Sequence, residues 1–121
     1  MLYLGKQYTM SDNFLQFLSI SKKAGALVAG YNKSEEAVKA NNAKLVIIAI
    51  EASINTKEKF NRICQAKKIP LIEGYSKYDL GKFIGKEEIS VLTIIDYKIS
   101  EKLITIYEEK KKNDFGGDVI V

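Results

Sequence analysis

Residues 29–49 read AGYNKSEEAVKANNAKLVIIA, and this stretch decides the fold. Asn32 is a good helix N-cap, and Glu35 follows at the capping-box spacing. Ala37 and Val38 fall on one face of the helix that this start implies, while Glu36, Lys39 and Asn41 fall on the other. Asn41 or Asn42 can end it in the left-handed region. Residues 45–50, LVIIAI, are then apolar at every position, which predicts a central strand, parallel to a neighbour and covered by helices on both faces.

The pattern alternates outward from there. Upstream, residues 13–24 form a helix burying Phe14, Phe17, Leu18 and Ser21, with Lys22 and Lys23 near its negative end and Gly25 just beyond. Residues 26–29 make a short strand. Downstream, a helix over 56–67 buries Phe60, Ile63, Cys64 and Ala66 and cannot pass Pro70. Residues 71–73 are a short strand, and Ser76 caps a short helix, with Asp79 at capping-box spacing and Gly85 at its end. Residues 89–95 are a buried strand, and 99–112 an amphipathic closing helix. The predicted fold class is α/β, a three-layer α-β-α sandwich around a mixed, mostly parallel sheet of about four strands. Residues 11–112 make the single domain. Residues 1–10 form an N-terminal extension, for which an added segment, an edge strand and an upstream start all stay open. Residues 113–121 form a mobile tail, unless Val119, Ile120 and Val121 join a sheet edge.

The 121 residues suffice for one domain with a real core. Apolar residues make up 46% and charged residues 28%, a globular balance. The longest apolar run is too short to cross a bilayer, the first residues lack a signal-peptide pattern, and Cys64 is the only cysteine. A reducing, cytoplasmic protein without membrane contact is expected. The net charge of +4 favours a polyanionic partner, though only moderately. Nearly all cations are lysines, with Arg62 the one arginine, so any base reading rests on asparagine, backbone amides and shape rather than arginine forks.

Catalytic chemistry is sparsely provided for. There is no histidine, Cys64 therefore lacks a histidine partner, and the acids are scattered. No enzyme, metal or cofactor is expected. The glycines of residues 74–85 lack the spacing of a phosphate loop.

The start of the helix at residue 32 is the candidate site. Its first amides have no partner within the helix, which leaves a donor-rich, electropositive corner suited to a phosphate or to the acceptor edge of a base. Gly30 permits close approach, and Asn32 could offer its amide to a base. Lys33 and Lys39 are expected to add charge at the same end and face. Taken alone, the plainer alternative is favoured, in which Asn32 merely caps and Gly30 merely turns.

The ordered set Gly30-x-Asn32, residues 43–49 (AKLVIIA), Cys64, Ile69-Pro70, Ser76-Lys77-x-x-Leu80-Gly81 and Gly85 resembles the superfamily of ribosomal proteins that bind kink-turn RNA, with a pelota-type fold. Ser53-x-Asn55-Thr56, Gly85-Lys86-Glu87 and Asp96 are similar to its bacterial YlxQ-type branch. The resemblance covers residues 14–103. It implies an α-β-α sandwich that binds kink-turn or ribosomal RNA, with ribosome or ribonucleoprotein components as further partners, acting as a monomer. In such proteins a Gly-x-Asn-Glu segment enters the widened groove at tandem sheared G·A pairs, and a nearby loop covers an extruded base. Here Gly30, Tyr31 and Asn32 would form the first element. Residues 86–90 would form the covering loop, with Lys86, Ser90 and, as its apolar contact, Ile89. Glu51 stands where the family has an acid, and Lys33, Lys39, Lys44 and Lys86 would neutralise phosphates. The pattern is departed from in the covering loop, where Ile89 stands in place of a proline common among relatives with Glu87 and Glu88 beside it, and at the start of the helix. Lys33 replaces the family glutamate and Glu36 the family lysine, an exchange that bears on specificity. A protein-interaction module that keeps this fold without kink-turn affinity is the alternative, and a nucleotide-binding or enzymatic α/β domain is the third.

Overall fold

The computed structural model describes residues 12–120, with side chains as far as residue 112. The expectations for residues 1–11 and for Val121 lie outside the described residues. The chain runs α1 (Asn13–Lys23), β1 (Leu27–Ala29), α2 (Tyr31–Lys39), β2 (Leu45–Ala49), α3 (Ile54–Ala66), β3 (Leu71–Tyr75), α4 (Lys77–Phe83), β4 (Val91–Ile94) and α5 (Tyr97–Ile120).

The four strands form one sheet in the order β1-β4-β2-β3. β2 and β3 pair in parallel, Val46 opposite Leu71, while β4 runs antiparallel to both β2 and β1. Three strands thus share a direction, as the apolar pattern suggested, but only one neighbouring pair is parallel. The reason lies in α4. Five strand residues span about 17 Å, and the nine residues of α2 with the turn after them bring the chain back over that length between β1 and β2. Seven helical residues reach only about 10 Å, so the chain re-enters the sheet from the end it left and β4 runs backwards.

Alternation along β2 divides the interior. Leu45, Ile47 and Ala49 join Phe14, Leu18, Leu80, Leu92 and Leu103 in one core, beneath α1, α4 and α5. Val46 and Ile48 join Val38, Phe60, Cys64 and Val91 in the other, beneath α2 and α3. This is the expected three-layer sandwich, with β2 buried at every position.

Several boundaries differ from the sequence reading. Asn32 is not a cap. Gly30 occupies the N-cap of α2 with φ 107° and ψ 161°, a region open in practice to glycine, so the helix starts at Tyr31 and the Asn32–Glu35 capping box does not form. Ser53 caps α3, its hydroxyl accepting from the Thr56 amide, which moves that start back to Ile54. β2 stops at Ala49, leaving Ile50 half exposed. β3 extends to Tyr75, and Ala66 is exposed because α3 is ending there. α5 begins at Tyr97, where Asp96 accepts from the Ile99 amide, and continues to Ile120 in place of the expected tail. No proline interrupts it, and the run Lys110–Lys112 falls mid-helix instead of at its end. The left-handed Asn41 closes α2 as expected, at φ 64°.

Candidate nucleic-acid interface

The shared direction of β1, β2 and β3 puts their carboxyl ends, and the starts of α2, α3 and α4, on one rim of the sheet. The N-terminus of β4 and the loop before it lie there too. Gly30 donates its amide to the Val91 carbonyl at 2.8 Å, and Ala49 donates to Ser90 at 2.8 Å. Residues 90–91 are therefore pinned between the start of α2 and the end of β2.

The helix starts on this rim are not alike. Side-chain oxygens cap α3 through Ser53 and α4 through Ser76, and Asp12 and Asp96 do the same for α1 and α5. Among the described residues no side chain caps α2. Its first-turn amides, at Tyr31, Asn32 and Lys33, stay open to an acceptor from outside. Asn32 and Lys33 are exposed, and no hydrogen bond or ion pair occupies either side chain among the described residues.

Tyr31 fixes the corner. Its ring meets Phe60 edge-on at 5.3 Å between centroids, with the Lys59 ammonium 5.2 Å from its centre. Lys59 also pairs with Glu35, whose other partner is Lys39 at 3.0 Å. These two ammonium groups, Lys59 foremost, hold the Glu35 carboxyl below the usual range, and Glu35 in turn raises Lys59. Glu35 is thus neutralised locally. Glu36, by contrast, is exposed and unpaired among the described residues.

The loop of residues 86–90 is bolted to α4. Gly81 lies so close to it that an added Cβ would sit 2.7 Å from Glu88 Cα and 2.9 Å from the Lys86 carbonyl. Lys86 donates its amide to Gly81 at 2.8 Å, and Ile89 donates to Lys77 at 3.0 Å. The Lys77 ammonium pairs with Glu88 at 2.7 Å, which raises its pKa. Glu51 completes this clasp, accepting from the Lys77 amide at 2.8 Å, and that bond lowers its pKa.

Of the ten residues singled out in the sequence, Gly30, Tyr31, Asn32, Lys33, Glu51, Lys86, Ile89 and Ser90 gather at this rim. Ile89 is half-buried against the core, and Ser90 serves through its carbonyl. Lys39 and Lys44 stand outside this group. Lys39 follows Lys33 by six residues of helix, a rise of about 9 Å, and lines a shallow hollow on α2 together with Asn32 and Glu36. Lys44 precedes β2 and its amide bonds Ile94, at the opposite end of the sheet. The sequence reading missed three exposed apolar side chains on the rim, Ile50 at 50%, Ile54 at 71% and Tyr78 at 58% exposure. Their signal was phase: Ile54 precedes the 60-63-64 apolar stripe of its helix and falls outside it. Among the described residues no cluster of three or more His, Cys, Asp or Glu could hold a metal, and no helix is long and apolar enough to cross a membrane.

The family profile described as ribosomal protein L7Ae/L30e/S12e/Gadd45 matches residues 12–104. The RNA-binding protein YlxQ of Bacillus subtilis is 31% identical over 91 residues, spanning 75% of this chain and 91% of that protein. The large ribosomal subunit protein eL8 of Thermoplasma acidophilum is 27% identical over 110 residues, 85% of this chain and 89% of the relative. A solved structure of a Bacillus halodurans protein of unknown function superposes with a TM-score of 0.79 at 30% identity, covering 81% of this chain and 99% of that one. The Giardia lamblia 15.5kD RNA binding protein shares the fold, with a TM-score of 0.65 at 24% identity over 76% of this chain and 85% of its own.

Proposed function

The chain belongs to the ribosomal protein L7Ae/L30e/S12e/Gadd45 family, and from that membership we propose that it is a non-catalytic RNA-binding protein that recognises kink-turn-like structured RNA. The observation that carries the reading is the uncapped start of α2, set among exposed apolar side chains on a rim where the other two helix starts are closed by serines. In this reading the open amides of Tyr31 to Lys33 and the carboxamide of Asn32 take acceptor edges of sheared G·A pairs. A regular RNA duplex would bring mainly phosphates and 2′-hydroxyls to such a corner. Ile50, Ile54 and Tyr78 give unstacked bases an apolar surface, which is how proteins read RNA outside regular helices. Lys33 and Lys86 neutralise phosphates. Glu51 acts through α4, holding the 86–90 loop in place, instead of touching RNA. The protein is taken to work as a cytoplasmic monomer in association with ribosomal or other ribonucleoprotein components, without metal or cofactor.

Gel-shift titration against a kinked RNA and a straight duplex of equal length tests this at physiological salt. Preference for the kinked RNA, with affinity falling as salt rises and a shallower salt slope in Lys33→Ala, is expected. Equal affinity for both would remove kink recognition. No binding to either would favour a protein-interaction module, to which the unpaired, opposite charges of Lys33 and Glu36 are suited.

A further inference from the structure

At the end of the sheet away from the α2 corner, a groove of about 670 Å³ opens between α5 and the starts of β2 and β3. Its apolar floor includes Ile69, Pro70 and Ile104, and Tyr97, 61% exposed, stands at its rim. A second hollow of about 280 Å³ shares Pro70 and Ile104 and carries the groove along β3, the last strand of the sheet among the described residues.

Its charge is in excess of what the fold uses. The carbonyl ends of α2 and α3 lie here and attract cations. Lys67 answers that need, donating to the Lys39 carbonyl and, at 2.8 Å, to Asn41 Oδ1. Lys44 and Lys68 line the same groove without an ion pair or hydrogen bond from their ammonium groups among the described residues. Lys68 also holds φ at 59°, just past the end of α3. Glycine is free of strain there and lysine is not. The other left-handed positions among the described residues are Gly25, Gly30, Gly85 and Asn41, types that tolerate it. A lysine held at that backbone angle, unpaired beside an apolar floor, does nothing evident for folding.

We propose that this groove docks an acidic segment of a partner protein, one that sets an apolar side chain on Ile69, Pro70 and Ile104 and carboxylates on Lys44 and Lys68. The floor is aliphatic and suits the short apolar side chains of a peptide, and Lys44 and Lys68 suit carboxylates set beside them, while Glu101 at Tyr97 keeps anions, carboxylate or phosphate, from that end of the groove. An exposed tyrosine beside a partly exposed apolar floor is a common anchor of protein interfaces. The surface is separate from the α2 corner and stands whether or not that corner binds RNA.

The probe is a fluorescein-labelled synthetic dodecapeptide of glutamates with two leucines, followed by anisotropy at low salt. Binding is expected to the acidic peptide and not to its lysine counterpart, with affinity about tenfold weaker in the Lys44→Glu, Lys68→Glu double variant. Lys68→Gly gives the sharper readout. It should raise the melting temperature by relieving the backbone while weakening the peptide, a pair of opposite changes that a structural role for the side chain would not produce. Excess straight or kinked RNA should leave the peptide bound. Absence of binding, equal binding of the lysine peptide, unaltered affinity in Lys68→Gly, or displacement by RNA would each overturn the proposal.

Discussion

Gly30 and Asn32 divide between them what the sequence left combined. Gly30 takes the cap with a backbone angle that L-residues avoid, and nothing lies within 4 Å of where its Cβ would be. The cost of replacing it is conformational strain and not collision. Gly30→Ala should therefore destabilise the fold by about 1–3 kcal/mol, measured by urea denaturation. Asn32 is released from capping, so Asn32→Ala should leave the urea midpoint nearly unchanged while weakening kinked RNA by about 1–3 kcal/mol, the scale of one base contact. A large loss of stability in Asn32→Ala would show that the side chain serves the helix after all. Gly30 and Asn32 were visible as a motif. Which of them capped was not, since both are accepted at an N-cap and the choice depends on where the β1 exit points, fixed by the Gly30–Val91 hydrogen bond across 61 positions of sequence.

Between elements, the contact of α4 with the 86–90 loop matters most. Gly81 is buried, and the Glu88 backbone occupies the space a side chain would need. Backbone cannot swing aside as a flexible side chain can. Gly81→Ala should displace the loop, with a stability loss of about 1–3 kcal/mol from overpacking and weaker RNA binding as Lys86 moves. Thermal melts and the gel-shift titration report the two effects separately. A variant that melts like the parent would mean that the loop yields without cost. Strand and helix identities followed from apolar periodicity, because β2 is buried on both faces and the serine caps are local. The direction of β4 did not follow, since it depends on the length of α4 measured against the width of the sheet. The rim residues Ile50 and Ile54 escaped notice because an apolar side chain at an element's end reads as a continuation of the core.

For the whole molecule, the two cores flank one sheet, and Cys64 reports on the one beneath α2 and α3. It is 1% exposed, and burial pushes its thiol from 9.0 up to about 11. The unfolded chain loses this proton at a lower pH than the folded protein does. Stability from this group is thus complete below about pH 9 and falls as pH rises toward about 11. The Cys64→Ser variant should show a flatter decline over that window in urea denaturation, though from a lower plateau. An equal decline in both would assign the effect to other groups. The distribution of function over the molecule also belongs to this scale. The rim at the carboxyl ends of β1 to β3 is the proposed RNA surface, and the lysine-bearing groove lies at the other end. Lys44, grouped with the corner by its charge, lies at the other end of the sandwich because α2 and the turn after it carry the chain there before β2 begins.

The open start of α2 is the centre of the account. It is tested most directly by titrating the ¹⁵N-labelled protein with a kink-turn RNA and following each backbone amide by NMR. The account predicts that the amides of Tyr31, Asn32 and Lys33 shift furthest, accompanied by those of the 86–90 loop, while Lys39 and Lys44 stay in place. Saturable binding that leaves the Tyr31 to Lys33 amides unmoved would contradict it.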